Sequence, residues 1–214
     1  MDPRTLGVYV VTSGAFGPDR SHRSLARAAI DGGATAVQLR APELDDEALL
    51  PLAIELAAEC REAGVLFVVN DRLDVALVSD AAGVHLGQHD DPYDARRKLG
   101  AGRVLGVSVG DEDEALAAER AGADYLGMTV WATPTKPDAE PRGLEGLGAV
   151  VEATTLPVVG IGGIFASNAT LVLEAGAAGF AVISAVASAP DPVKATRALA
   201  DVFDGFRAAE RAGR

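Results

Sequence analysis

The chain repeats one alternation eight times, and that repetition constrains its fold more than any other feature. Short runs rich in Val, Leu and Ile alternate with longer Ala-rich segments whose apolar residues recur at helical spacing, the pattern left by parallel strands covered by helices. The runs fall at 8–12, 36–40, 65–70, 84–87, 104–109, 125–130, 157–163 and 179–185. Helical patterns follow them at 22–31, 45–63, 72–80, 92–99, 112–121, 144–153, 167–175 and 192–212. Gly32-Gly33, Gly64, Gly83, Gly122 and Gly176 stand just before a strand, where a chain leaving a helix commonly takes positive φ. Eight strand–helix pairs in 214 residues predict an α/β fold, a (β/α)8 TIM barrel formed as one domain over 1–214. An open doubly wound sheet is the alternative, because periodicity alone does not establish closure. No linker divides the chain, and residues 131–142 read as a long loop after the sixth strand, expected to be mobile.

Composition narrows the partners. With 49% hydrophobic and 23% charged residues, the chain can bury a large aliphatic core and is not a disordered polymer. Its net charge of −12 repels nucleic-acid backbones and anionic lipid, so neither is an expected partner. A phosphorylated small molecule would need a local cluster of backbone N–H groups, cations or metal. The lone cysteine, Cys60, falls among Ala and Leu in a helical pattern and reads as a buried thiol. Residues 1–4 lead into a short strand without the pattern of a secretion signal, and the weakly polar run 177–189 is too short to span a bilayer. A soluble cytoplasmic protein is the expectation.

In a barrel, chemistry gathers at the C-terminal ends of the strands. Those ends are polar here: Gln38-Leu39-Arg40, Asn70-Asp71-Arg72, His85 to Asp90, Gly106-Val107-Ser108, Thr133-Pro134-Thr135-Lys136, Gly160 to Gly163, and Ile183-Ser184. The glycines at 160, 162 and 163 suit either an anion held on bare backbone N–H groups or tight strand–helix packing. Phe165 breaks the dinucleotide fingerprint. Asp71 and Asp90 follow neighbouring strands, where they suit Mg²⁺ shared with substrate phosphates, or else act as plain helix caps. Lys136, one of three lysines, lies in the long loop beside two threonines, where it suits phosphate or is a solvated side chain. His85 reads as structural, His89 has no assigned role, and Trp131 either walls an aromatic substrate or fills the outer core.

Taken in order, these segments resemble the thiamine phosphate synthase and thiazole tautomerase family. The matching residues are QLR at 38–40, NDR at 70–72, HLGQ-x-D at 85–90, GVS at 106–108, ADY at 123–125, T-x-TK at 133–136, GLEGL at 143–147, GIGGI at 160–164 and the Ile183-Ser184 pair. The resemblance implies a transferase that joins hydroxymethylpyrimidine diphosphate to thiazole phosphate with release of pyrophosphate. It implies Mg²⁺ on Asp71 and Asp90, and contacts to the pyrimidine diphosphate from Gln38, Arg40, Asn70, Ser108 and Lys136. Thr133, Thr135, Gly163, Ile183 and Ser184 would then seat the thiazole phosphate, with Lys136 and Ser108 closest to the chemistry.

The chain departs from the family pattern in three places. Pro42 stands where the family usually has a lysine, the segment between Tyr125 and Thr133 is one residue short and lacks a Gly-Pro, and Gly110 stands where a histidine often follows GVS. The expected consequence is a pyrophosphate site short of one cation, with Arg72 the neighbouring candidate to replace it. Thiazole tautomerase is the alternative activity, although the histidine that family places near the end of strand six has no counterpart in Met128-Thr129-Val130-Trp131. A non-catalytic phosphate-binding barrel is the other alternative. The sequence leaves the oligomeric state open, homo-oligomer included.

Overall fold

The structure is a computed structural model that describes residues 6–17, 19–88, 90–133 and 140–213. Among these residues eight parallel strands form a closed barrel in sequence order: β1 Val8–Val11, β2 Ala36–Leu39, β3 Leu66–Asn70, β4 Gly83–Leu86, β5 Val104–Val109, β6 Tyr125–Thr129, β7 Val158–Ile161 and β8 Gly179–Val182. Closure is made by β1 against β8, with Val8 opposite Phe180 and Val10 opposite Val182. The open-sheet alternative is thereby excluded. Around the barrel run α1 His22–Gly32, α2 Asp46–Ala63, α3 Leu73–Val78, α4 Pro92–Leu99, α5 Glu112–Arg120, α6 Gly143–Ala153, α7 Ala169–Glu174, α8 Ser184–Ala187 and α9 Pro192–Ala212. No helix among the described residues is long and apolar enough to cross a membrane.

Strand parity explains how so apolar a sequence builds a polar interior. Side chains alternate across a strand, so one set packs under the helices while the other faces the lumen. Val8, Val10, Val37, Leu39, Phe67, Val69, Val84, Leu105, Val107, Leu126 and Phe180 join the layer between sheet and helices. Tyr9, Val11, Ala36, Leu66, Val68, Val104, Tyr125, Val159 and Ala181 form a separate inner cluster. Extending the inner row along each strand brings Gln38, Asn70, His85, Ser108, Thr129, Ile161 and Ile183 to the cavity above that cluster. Thus the strand-end polar residues are the upper part of the lumen, one parity of the same strands that make the core.

Local chemistry sets most boundaries. Asp45, Asp91, Asp111 and Asp191 each accept a backbone N–H from the first turn of α2, α4, α5 and α9. Gly33, Gly64, Gly122 and Gly176 do adopt positive φ. Gly83 does not. It opens β4, where a Cβ would lie 1.9 Å from the Val104 carbonyl oxygen, and the left-handed residue of that connection is Asp80, at φ 57°. Strand β8 ends at Val182, earlier than its hydrophobicity predicts, because Ser184 begins the four-residue α8. Helices α3 and α7 are six residues each, shorter than their apolar patterns suggest. Cys60 is buried, and burial pushes its thiol up to about 12. Of the loop expected at 131–142, residues 134–139 fall outside the described residues.

Candidate active site

The C-terminal end of the barrel opens into a cavity lined by inward side chains from all eight strands and by the loops after β7 and β8. Gln38, Arg40, Asn70, Ser108, Thr133, Gly163, Ile183 and Ser184, all predicted to touch substrate, line it together. Thr135 and Lys136, with His89, lie outside the described residues.

The floor of the cavity is a continuous hydrogen-bonded chain. Gln38 Nε2 donates to the Tyr9 hydroxyl at 2.8 Å, the hydroxyls of Tyr9 and Tyr125 are 2.9 Å apart, Tyr125 Oη is 2.9 Å from His85 Nδ1, and His85 Nε2 is 3.0 Å from Ser108 Oγ. Burial pushes both phenols well above their ordinary value, so they stay protonated. Sequence reading missed Tyr9 and Tyr125 and assigned His85 to structure alone. The available signal was parity: Tyr9 shares the inward row with Val11, and Tyr125 shares one with Gly127 and Thr129. Gly106 and Gly127 make the room, since a Cβ at Gly106 would lie 2.5 Å from His85 Nδ1 and one at Gly127 would lie 3.0 Å from His85 Cε1.

The two aspartates, which are not among the residues lining the cavity, converge at Gly87, with Asp71 next to the lining residue Asn70. Asp71 follows Asn70 and is held in left-handed backbone at φ 59°, a conformation Asp tolerates better than most side chains. Asn70 Nδ2 donates to Asp71 Oδ2 at 2.5 Å, and the Gly87 N–H donates to Asp90 Oδ2 at 2.9 Å. Neither aspartate caps a helix through its side chain: α3 has Arg72 at its N-cap, without a side-chain bond, and Asp91 caps α4. A Cβ at Gly87 would lie 3.4 Å from Asp90 Oδ2 and 3.9 Å from Asp71 Oδ1, so glycine leaves open the space between the carboxylates. Burial and the neighbouring Asp90 charge raise the pKa of Asp71, opposed by Arg40 and by hydrogen bonds from Gly87 and Asn70. Two carboxylates in mutual repulsion over an open gap fit a hard divalent cation. Among the described residues no group of three or more His, Cys, Asp or Glu forms a full metal cage, so Mg²⁺ here would draw its remaining ligands from water and phosphate.

Arg40 is set by a strap across the barrel mouth. Its backbone N–H donates to Thr12 Oγ1 at 3.3 Å; Thr12 Oγ1 lies 2.7 Å from His22 Nδ1, and His22 Nε2 lies 2.6 Å from Glu43 Oε1. Partial burial works against the charge on Glu43, yet the hydrogen bond to His22 and nearby positive charge hold its carboxyl below the usual value. Pro42 occupies the second position of the turn closed by Leu44 N to Ala41 O, where its fixed φ is favoured, and so presents Glu43 to His22. Arg72, expected from the sequence to replace a missing lysine, is instead engaged with Asp46 Oδ1 at 2.7 Å and the Leu44 carbonyl at 3.2 Å.

Across the cavity, the glycine run divides between the two roles its sequence allowed. Gly160 serves packing, since a Cβ there would lie 2.6 Å from Val172 Cγ1. Gly162 and Gly163 line the cavity at φ 93° and 65°, with Trp131 against them. Trp131 itself packs on the outer core. Asp124 of the ADY segment is structural: its carboxylate accepts from Leu105 N at 2.8 Å and pairs with Arg96 at 2.5 Å.

Comparison with known proteins gives the family and the fold. Residues 8–186 match the family model described as thiamine monophosphate synthase. The chain is 50% identical over 198 residues to a thiamine-phosphate synthase of Roseiflexus castenholzii, covering 91% of this chain and 87% of the relative. It is 48% identical over 207 residues to that of Methanocella arvoryzae, covering 95% and 98%. Among solved structures it superposes on a thiamine phosphate pyrophosphorylase from Pyrococcus furiosus with a TM-score of 0.87 at 41% identity, covering 95% of this chain and 98% of that one. A 3-hexulose-6-phosphate synthase, at 16% identity and a TM-score of 0.68, shares the fold alone. With a family match over most of its length and relatives near half identity, the chain belongs to the thiamine monophosphate synthase family.

Proposed function

We propose that this chain, acting as one catalytic domain, joins 4-amino-2-methyl-5-hydroxymethylpyrimidine diphosphate to thiazole phosphate, forming thiamine phosphate and pyrophosphate. The observation that carries the reading is the gathering of Gln38, Arg40, Asn70, Ser108, Thr133, Gly163, Ile183 and Ser184 around one cavity, with Asp71 and Asp90 converging next to Asn70. Such a cavity favours dissociative chemistry. The bond between the pyrimidine methylene and the diphosphate oxygen breaks, its electron pair leaves with pyrophosphate, and the thiazole nitrogen lone pair then forms the new C–N bond. No covalent enzyme intermediate is needed; the work is positioning and charge neutralisation.

Gln38 and Ser108 hold the pyrimidine against the lumen floor, while Arg40, Asn70 and Lys136 contact the diphosphate. Asp71 and Asp90 would hold Mg²⁺, which when bound neutralises charge on the departing pyrophosphate. Thr133, Gly163, Ile183 and Ser184, which line the cavity, seat the thiazole phosphate together with Thr135. The chemical step is assigned to Ser108 and Lys136. A cytoplasmic location and small phosphorylated partners follow from this reading; neither nucleic acid nor membrane takes part.

The test is to incubate the protein with both substrates and Mg²⁺ and follow thiamine phosphate and pyrophosphate by mass spectrometry, beside Asp71→Asn. Product that requires Mg²⁺ and falls at least about a hundredfold in the variant supports both the activity and the metal assignment. Absence of product from a folded protein with fresh substrates would overturn the activity.

A further inference from the structure

Among the described residues Arg40 is the one arginine or lysine that lines the cavity, and its guanidinium forms no hydrogen bond or ion pair with any of them. Its charge nevertheless acts on two carboxylates, Glu43 and Asp71. Each of these is held by another partner. Asp71 Oδ2 accepts from Asn70 Nδ2 at 2.5 Å. Glu43 Oε1 lies 2.6 Å from Nε2 of His22, a buried ring at the start of α1. A third element builds the seat of Glu43: a Cβ at Gly14, in the short turn of helix after β1, would lie 2.3 Å from Glu43 Oε1 and 3.4 Å from His22 Nε2. Glycine thus admits the carboxylate to the histidine. The turn closed from Leu44 N to Ala41 O begins beside Arg40 and brings Glu43 back toward it, so a Glu43 freed from His22 would have the guanidinium within reach. Burial works against the Glu43 charge, but the bond to His22 and the charge of Arg40 hold its carboxyl below the usual value, so it is ionised near neutral pH and able to compete with an anionic ligand.

We propose that Gly14 and His22 are positioning residues that sequester the Glu43 carboxylate and so leave the Arg40 guanidinium unpaired for an anionic ligand in the cavity. On the preceding reading, on which this assignment rests, that ligand is the diphosphate of the pyrimidine substrate. Sequestration matters more in this chain because Pro42 carries no charge and Arg72 is already engaged with Asp46 and the Leu44 carbonyl. Capture of Arg40 by Glu43 would take away the one lining cation of the described residues.

Calorimetry with inorganic pyrophosphate and Mg²⁺ reads the site without turnover. Gly14→Ala pushes on the far end of a flexible side chain rather than on backbone, so it should free Glu43 while the fold holds, and the Kd for pyrophosphate should rise about fivefold, the scale of one exposed charge pair. Adding Glu43→Gln removes the competing charge, so the double variant Gly14→Ala/Glu43→Gln should return to within about twofold of wild type. If Glu43 served only as a scaffold for the loop, the double variant would bind no better than Gly14→Ala. Wild-type affinity in a folded Gly14→Ala, or no recovery in the double variant, would overturn the proposal, as would a wild-type protein that does not bind pyrophosphate. Where Gly14→Ala fails to fold, His22→Asn, too short to hold Glu43, carries the same comparison with and without Glu43→Gln. In turnover the effect should belong to one substrate: KM for the pyrimidine diphosphate follows the pyrophosphate Kd, and KM for thiazole phosphate stays within about twofold. Should the wild-type protein bind pyrophosphate yet form no thiamine phosphate, the activity reading falls, while the binding series still decides whether Glu43 competes for Arg40.

Discussion

Gly106 and Tyr125 share one volume of the barrel lumen: a Cβ on residue 106 would lie 2.2 Å from Tyr125 Cζ and 2.4 Å from its hydroxyl oxygen. The neighbouring strands β5 and β6 put these residues side by side, with Gly106 directly opposite Tyr125 in the ladder. Only a residue without a side chain allows the ring to reach across toward Tyr9 and His85.

Gly106→Ala is therefore expected to destabilise the protein by roughly 1–3 kcal/mol through overpacking, and to lower turnover by displacing the Tyr125 hydroxyl. Gly205→Ala provides the opposite sign. Gly205 lies exposed inside α9 with nothing near its missing Cβ, so the change should stabilise by roughly 0.5–1 kcal/mol through helix propensity and leave turnover unchanged. Urea denaturation with an activity assay on each variant checks both.

The raised pKa of Asp71 gives a pH dependence with a definite sign. Its folded-state value lies above the ordinary aspartate value of 3.8, through burial and then the charge of Asp90. The group is thus easier to protonate in the folded chain than in the unfolded one. Its contribution to stability is fully present below the unfolded value and lost as pH rises through the folded value. Without metal, Asp71→Asn should raise Tm near neutral pH, and the gain should vanish as pH falls through that window. Mg²⁺ must displace the same proton, so apparent Mg²⁺ affinity should weaken on the acid side, beginning above the usual aspartate range. Calorimetry across pH, with and without Mg²⁺, measures both; a Tm gain that grows on acidification would contradict the assignment.

Much of this arrangement is legible in the sequence alone, and the reason is physical. Alternating apolar runs and helical patterns record which surfaces must be buried, so eight strands, the order of the elements and the polar strand ends can be read from the chain. Closure cannot, because β1 pairs with β8 across the full length of the sequence. The role of His85 is hidden for a similar reason. Its partners Tyr125 and Ser108 are 40 and 23 residues away, and nothing local distinguishes a histidine packed in a core from one that links two tyrosines to a serine. Asp71 and Asp90 look equally like helix caps because each precedes a helix. Only the backbone shows that capping falls to Asp91 and that α3 starts without a side-chain cap.

The phosphate seat predicted at the β7 loop depends on backbone that only glycine adopts easily. Gly163 has φ 65°, and a Cβ there would lie 3.0 Å from Trp131 Cβ and 3.4 Å from the Ala132 carbonyl oxygen. Gly163→Ala should cost roughly 1–2 kcal/mol of stability, because alanine is strained at positive φ and Trp131 must give way. It should also raise KM for thiazole phosphate about tenfold while KM for the pyrimidine diphosphate stays within about twofold. Steady-state kinetics with each substrate varied in turn separates these effects. A rise in both constants would point to general distortion of the cavity.

The strap at the barrel mouth makes the final prediction. Thr12 is fully buried, and its hydroxyl serves both the Arg40 backbone N–H and His22 Nδ1. Thr12→Val keeps the shape and removes the hydroxyl, leaving two buried polar groups to find other partners, at an expected cost of roughly 1–3 kcal/mol. The functional consequence should be selective. Arg40 loses its anchor while Gly163 and Ser184, after β7 and β8, make no bond to the Thr12 hydroxyl, so KM for the pyrimidine diphosphate should rise about tenfold and KM for thiazole phosphate should hold. Thr12→Ser restores the hydroxyl and should recover diphosphate affinity even though it lacks the methyl group. If serine fails to recover affinity, the methyl packing of Thr12 rather than its hydrogen bonds positions Arg40, and the strap from Glu43 through His22 to the diphosphate side of the cavity is broken as an explanation.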